Sequence, residues 1–67
     1  MELSARNQLK GTVKNVSTDN IMAEVTVDFG GQEVVSVITK SSFERLGIKA
    51  GQPVTVIIKA TDVMLAR

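Results

Sequence analysis

Cysteine and histidine are both absent from these 67 residues. Their absence excludes disulfides, thiolate chemistry and the commonest zinc ligands, and removes the side chain most used for general acid–base work. Tryptophan and tyrosine are missing too, so Phe29 and Phe43 are the whole aromatic content. Nucleic-acid bases would find almost no platform to stack on. Charge of one sign is also lacking: eight basic residues face seven acidic ones, a net charge of +1 that draws no polyanion. No stretch approaches the roughly 20 apolar residues of a membrane span. Met1, Glu2, Leu3 and Ser4 show none of the basic and apolar regions of a signal peptide, so a cytoplasmic location is expected.

What remains must still fold. A chain of about 60 residues buries only roughly 60% of its unfolded surface, and the usual remedies are disulfides, a metal or self-association. With the first two excluded, self-association is expected. Valine, isoleucine, leucine, alanine and methionine have to make the core, and side chains of this kind suit a narrow barrel or a seam between subunits.

Alternation of period two organises most of the chain. In the run 9–16, Leu9, Gly11 and Val13 share one face, while Lys10, Thr12 and Lys14 take the other. Gly11 inside such a strand marks a close backbone approach or a bulge. Val16 falls out of phase with Val13, so the strand should bend or end near Asn15. Residues 17–20 are turn chemistry. Residues 21–29 alternate cleanly, with Ala23, Val25, Val27 and Phe29 opposite Glu24, Thr26 and Asp28. Gly30 and Gly31 then suit a tight hairpin into a third strand, 32–39. Its apolar residues lie on both faces, which predicts cover on both sides.

The pattern breaks at 40–47. Ser41 followed by Glu44 reads as a capping box for a short helix, Gly47 as its left-handed stop, and Phe43 and Leu46 as its inward face. A turn at 50–53 leads to a fourth strand, 54–59, and residues 62–66 read as a short closing strand. The expected fold is all-β: a single domain over 1–67, a small five-stranded, OB-like Greek-key barrel with one short helix between strands 3 and 4.

Catalysis has little to work with. Glu24 and Asp28, four apart on a strand, read as a solvated face, and an enzyme is the least economical reading. Binding is better supported. Ser4, Ala5, Arg6 and Asn7 join a hydroxyl, a guanidinium, a carboxamide and main-chain N–H groups in one acid-free segment, a donor set suited to an oxyanion. By itself the segment also reads as a solvated arm, and Lys59 as a solvated strand-end lysine. If the first and last strands are neighbours in the barrel, however, Arg6 and Lys59 converge near one rim. Thr39 and Ser42 add hydroxyls where a helix begins.

Ser-Ala-Arg-Asn-Gln-Leu-Lys-Gly at 4–11, Val-Ile-Thr at 37–39 with Ser42 and Leu46-Gly47, and Lys-Ala-Thr-Asp-Val-Met at 59–64 together resemble the molbindins. These are small molybdate-binding proteins of the Mop family, built from a TOBE-type domain, and the resemblance spans essentially the whole chain. It implies a non-enzymatic store for molybdate or tungstate, with no organic cofactor and no resident metal beyond the oxyanion. It also implies a hexamer, a trimer of dimers, with oxyanion pockets between subunits. Carried over by position, the oxyanion shell comprises Ser4, Ala5, Arg6 and Asn7, Thr39 and Ser42, and Lys59 and Ala60. Related chains often carry serine at position 60, where Ala60 leaves only a main-chain donor. Two other readings compete: an OB-like module for single-stranded nucleic acid, and a purely structural oligomerisation module. Neither a nucleic acid nor a membrane is the expected partner.

Overall fold

The alternating runs become four antiparallel strands in a computed structural model that describes residues 4–67. In chain order the elements are β1 (Asn7–Thr18), β2 (Met22–Phe29), β3 (Gln32–Thr39), a helix α1 (Lys40–Leu46) and β4 (Pro53–Ile58). A single 3-10 turn, Ala60–Asp62, follows. The sheet order is β3-β2-β1-β4.

β1 is the organising strand because it serves two partners with its two halves. Residues Asn7 to Thr12 pair with β4, and Thr12 to Thr18 pair with β2. The phase slip between Val13 and Val16 is a β-bulge: the register with β2 shifts between Val13 and Asn15, returning Val16 to the core side. Such an extra residue bends its strand, which lets β1 turn from one partner to the other. The strand runs on through Ser17 and Thr18, which turn chemistry had assigned to a loop. The reversal is made instead by Asp19, whose carboxylate oxygen Oδ1 accepts from the N–H groups of Ile21 and Met22, both at 2.7 Å.

Gly11 is a close-approach glycine. A Cβ there would stand 2.5 Å from the Asp28 carbonyl oxygen and 2.8 Å from Val27 Cγ1. Gly30 and Gly31, at φ of 60° and 84°, form the two-residue hairpin between Phe29 and Gln32. Positive φ at both positions is what the twist of paired strands demands of such a turn.

The core is small. Val13, Val25 and Val27 are buried together, with Val16, Phe43, Ile48, Val54 and Val56 packed around them. Ala23 and Ala5 are buried as well. Helix α1 lies on this face and ends in a paired stop: the Gly47 N–H donates to Glu44 O, and the Ile48 N–H donates to Phe43 O. Gly47 takes the left-handed conformation this requires. Ile48 and Phe43 then both reach the core, whereas Leu46, expected to point inward with Phe43, is largely exposed.

Two expectations are corrected here. The helix is capped by Thr39, not Ser41: Thr39 Oγ1 accepts from the Ser42 N–H at 3.1 Å. Thr39 ends β3 in an extended conformation, so its hydroxyl is already aimed at the first turn, and the helix starts one residue after it. The closing strand at 62–66 is absent from the chain's own sheet. Asp62 belongs to the 3-10 turn, residues 63–67 pair with nothing described, and the barrel stays open between the free edges of β3 and β4. The tight turn directly after β4 deflects the chain from the edge it would have to follow.

Candidate functional site

Asn7 starts β1 opposite Ile58, the last residue of β4, and its side-chain amide donates to the Ile58 carbonyl at 3.3 Å. This bond fastens the beginning of one strand to the end of the other. Arg6 and Lys59 occupy the next register position beyond that pair. In an antiparallel ladder, opposed residues put their side chains on the same face. β1 and β4 are thus neighbours, where the sequence reading asked this of the first and last strands, and Arg6 and Lys59 are the residues directly beyond that paired end. Both residues are exposed, as are Ser4 and Ala60, while Ala5 between Ser4 and Arg6 is buried. Ala5 lies on the core-facing parity and anchors the segment, leaving Ser4 and Arg6 turned the other way.

Lys59 itself leaves the strand in an extended conformation and opens the 3-10 turn, where its carbonyl accepts from the Asp62 N–H at 2.9 Å. The first N–H groups of such a turn have no partner inside it, so the Ala60 main chain is a donor even though its side chain offers nothing.

Thr39 and Ser42 form the second half of the expected shell. Thr39 Oγ1 donates to Ser42 Oγ at 2.9 Å, and Arg45 Nη2 donates to the same oxygen at 3.1 Å. With two donors already directed at it, Ser42 Oγ is left to donate its own proton outward. The sequence reading missed Arg45; its three-residue spacing from Ser42 on one helical turn was the available signal.

The two halves do not meet within one chain. Thr39 pairs with Met22 at the start of β2, beside the Thr18 end of β1, whereas Arg6 precedes the Asn7 end. A 12-residue strand spans roughly 36 Å before any bend. Arg6 with Lys59, and Thr39 with Ser42, therefore sit at opposite ends of β1.

Other features fit an anion poorly. A depression of about 240 Å³ near the Thr18 end is lined by Asp19 and Glu24, both carboxylates. The Asp19 carboxyl is held below its ordinary range by the backbone N–H groups of Met22 and Ile21, so it stays charged. Lys14 is engaged with Glu33, whose carboxylate raises the lysine above its ordinary value. Among the described residues no cluster of acids could hold a metal ion, and no helix is long and apolar enough to cross a membrane.

An open, bent sheet of four antiparallel strands with one short helix and a donor-rich rim defines a small all-β domain. Residues 3–65 match the TOBE domain. Molybdenum-pterin-binding proteins 1 and 3 of Clostridium pasteurianum are 47% and 48% identical to this chain, over 97% of it and 97% of each relative. Among solved structures, a molybdate-binding protein from Sporomusa ovata superposes with a TM-score of 0.95 at 36% identity, covering all of both chains. MopII from Clostridium pasteurianum gives 0.92 at 42% identity, covering 98% of this chain and 100% of that one. The chain belongs to the TOBE domain family, among the Mop-type molybdenum-pterin-binding proteins.

Proposed function

We propose that this protein binds molybdate or tungstate as the free oxyanion, in pockets shared between copies of a homo-oligomer, and serves as an intracellular store without covalent chemistry. The observation that supports the reading is the pairing of Asn7 with Ile58, which leaves Arg6 and Lys59 as the next residues beyond one end of the β1–β4 ladder. It is supported by relatives named for molybdenum pterin and structural neighbours titled as molybdate-binding. Molybdate at neutral pH is a tetrahedral dianion carrying no proton, so a shell made only of donors suits it; phosphate near pH 7 still carries a proton that would oppose a donor. A free oxyanion is favoured over a pterin because the chain has no tyrosine or tryptophan and Phe43 packs into the core, leaving little for a flat ring to stack on.

In this reading Arg6 and Lys59 supply charge, Ser4 a hydroxyl, Ala5 and Ala60 main-chain N–H groups, and Asn7 holds the rim together. Thr39 and Ser42 come from another copy. The oligomer is a hexamer arranged as a trimer of dimers, and its compartment is the cytoplasm, which is also where a structural neighbour, ModG, is described as residing. Equilibrium dialysis of the purified protein against molybdate, tungstate, sulfate and phosphate tests the proposal. Selective uptake of the first two is expected; equal or absent uptake of all four sinks it.

A further inference from the structure

Ser42 is half-buried between two exposed side chains, Thr39 and Arg45. Its N–H donates to Thr39 Oγ1 at 3.1 Å, and the Thr39 hydroxyl donates back to Ser42 Oγ at 2.9 Å. Arg45 Nη2 donates to the same serine oxygen at 3.1 Å. A hydroxyl oxygen accepts through two lone pairs and donates one proton, so both acceptor positions of Ser42 are taken and only its proton remains. Arg45 is the basic residue of the last turn of α1, where a cation ordinarily complements the final carbonyls. Its guanidinium goes elsewhere. Helical side chains lean toward the start of their helix, which carries this one back three residues to Ser42, and the carbonyls of Phe43 and Glu44 accept instead from the N–H groups of Ile48 and Gly47. Among the described residues no carboxylate forms a salt bridge with Arg45.

We propose that Arg45 is a positioning residue that holds Ser42 as a pure donor and so makes the site select against oxyanions that carry a proton, phosphate above all. This role rests on the proposed oxyanion function, to which it adds a source of specificity. Without the guanidinium, one lone pair of Ser42 Oγ is released. The serine can then accept, and its own proton is free to turn back to Thr39 Oγ1, which keeps one lone pair after the Ser42 N–H is counted. A ligand O–H facing the native serine meets another donor, and neither proton finds an acceptor. Facing the released serine, the same O–H finds one. Molybdate and sulfate carry no proton near pH 7, so the change gives neither an advantage over the other, and Arg45 bears on the protonated competitor alone. Arginine suits the task because it stays charged and has no acceptor to offer, whereas a hydroxyl in its place could reverse direction.

The test compares the native full chain with Arg45→Ala, Ser42→Ala and the double variant. Titration calorimetry measures molybdate binding, and phosphate and sulfate are ranked by their power to displace bound molybdate near pH 7. Arg45→Ala should narrow the preference for molybdate over phosphate by about fivefold or more, the lower end of what two opposed donors cost, and leave the preference over sulfate as it was. In the Ser42→Ala background the same substitution should change neither ratio. A general loss of charge or of helix structure would instead weaken all three anions together. An unchanged phosphate ratio in Arg45→Ala, phosphate that displaces molybdate from neither protein, or an equal change with and without Ser42 overturns the role. A ligand-free readout keeps this apart from the fate of the oxyanion reading: in urea unfolding, the stability losses of Arg45→Ala and Ser42→Ala should fail to add, as expected of partners in one hydrogen bond. Additive losses overturn the contact itself. Losses that fail to add, in a native protein that takes up neither molybdate nor tungstate, uphold the contact and overturn the oxyanion reading, and the selectivity with it.

Discussion

At the scale of single residues, chemistry and architecture are divided between neighbours. Ala5 is buried and Arg6 beside it is exposed, so one residue anchors the segment and the next presents a charge. Arg6→Ala and Lys59→Ala should each weaken molybdate binding by about 1.5–3 kcal/mol, the range for a hydrogen bond to a charged group. Titration calorimetry reads this directly, and unchanged affinity in both variants would remove the rim from the site. Gly11 is purely architectural. Since an added Cβ would meet the Asp28 carbonyl at 2.5 Å, Gly11→Ala must push β2 away from β1. A loss of about 1–3 kcal/mol, typical of overpacking, is expected in urea unfolding. Both readings of these residues were available from residue type and spacing alone: a donor-rich, acid-free segment, and a glycine in the middle of a strand.

Elements depend on their ends. Thr39 finishes β3 and caps α1 in the same residue, so strand and helix meet without a loop. Thr39→Ala should cost about 1 kcal/mol and Ser41→Ala close to nothing, measured by denaturant unfolding; the reverse order would reinstate the capping box suggested by Ser41 and Glu44. That box was a fair inference from spacing, and it lost because β3 ends with its hydroxyl already placed over the first turn. The β1–β2 connection hangs on Asp19, whose carboxyl lies below its ordinary value because two N–H groups donate to its charged form. A group with a depressed folded-state value contributes stability that is present above the unfolded value and lost as pH falls through the folded one. Native protein should therefore lose stability relative to Asp19→Asn as pH drops below about 4, the unperturbed aspartate value. Parallel acid profiles for the two would show that the turn does not depend on this charge.

For the whole molecule, the governing fact is incompleteness. A core of a few valines, a sheet open along one side and bare apolar residues on β3 and at 63–65 leave surface that the proposed oligomer would cover. If the oxyanion binds only where copies meet, ligand must stabilise the assembly by mass action, by about 2.7 kcal/mol at a hundredfold excess over the dissociation constant. Differential scanning calorimetry should show a transition that rises with molybdate and does not respond to equal sulfate. A midpoint indifferent to molybdate would favour a structural oligomerisation module. What the sequence determined by itself was local: all four strands within a residue or two, the bulge near Asn15, the glycine turns, and the donor chemistry of Arg6 and Lys59. Side-chain alternation and backbone preference are written in neighbouring residues, so they can be read from them. Tertiary structure alone decided which edges stay open, that residues 63–66 pair with no described strand, and that Thr39 and Ser42 lie far from Arg6. Those outcomes depend on where a bent strand carries its two ends, and no residue encodes that direction without the others packed around it.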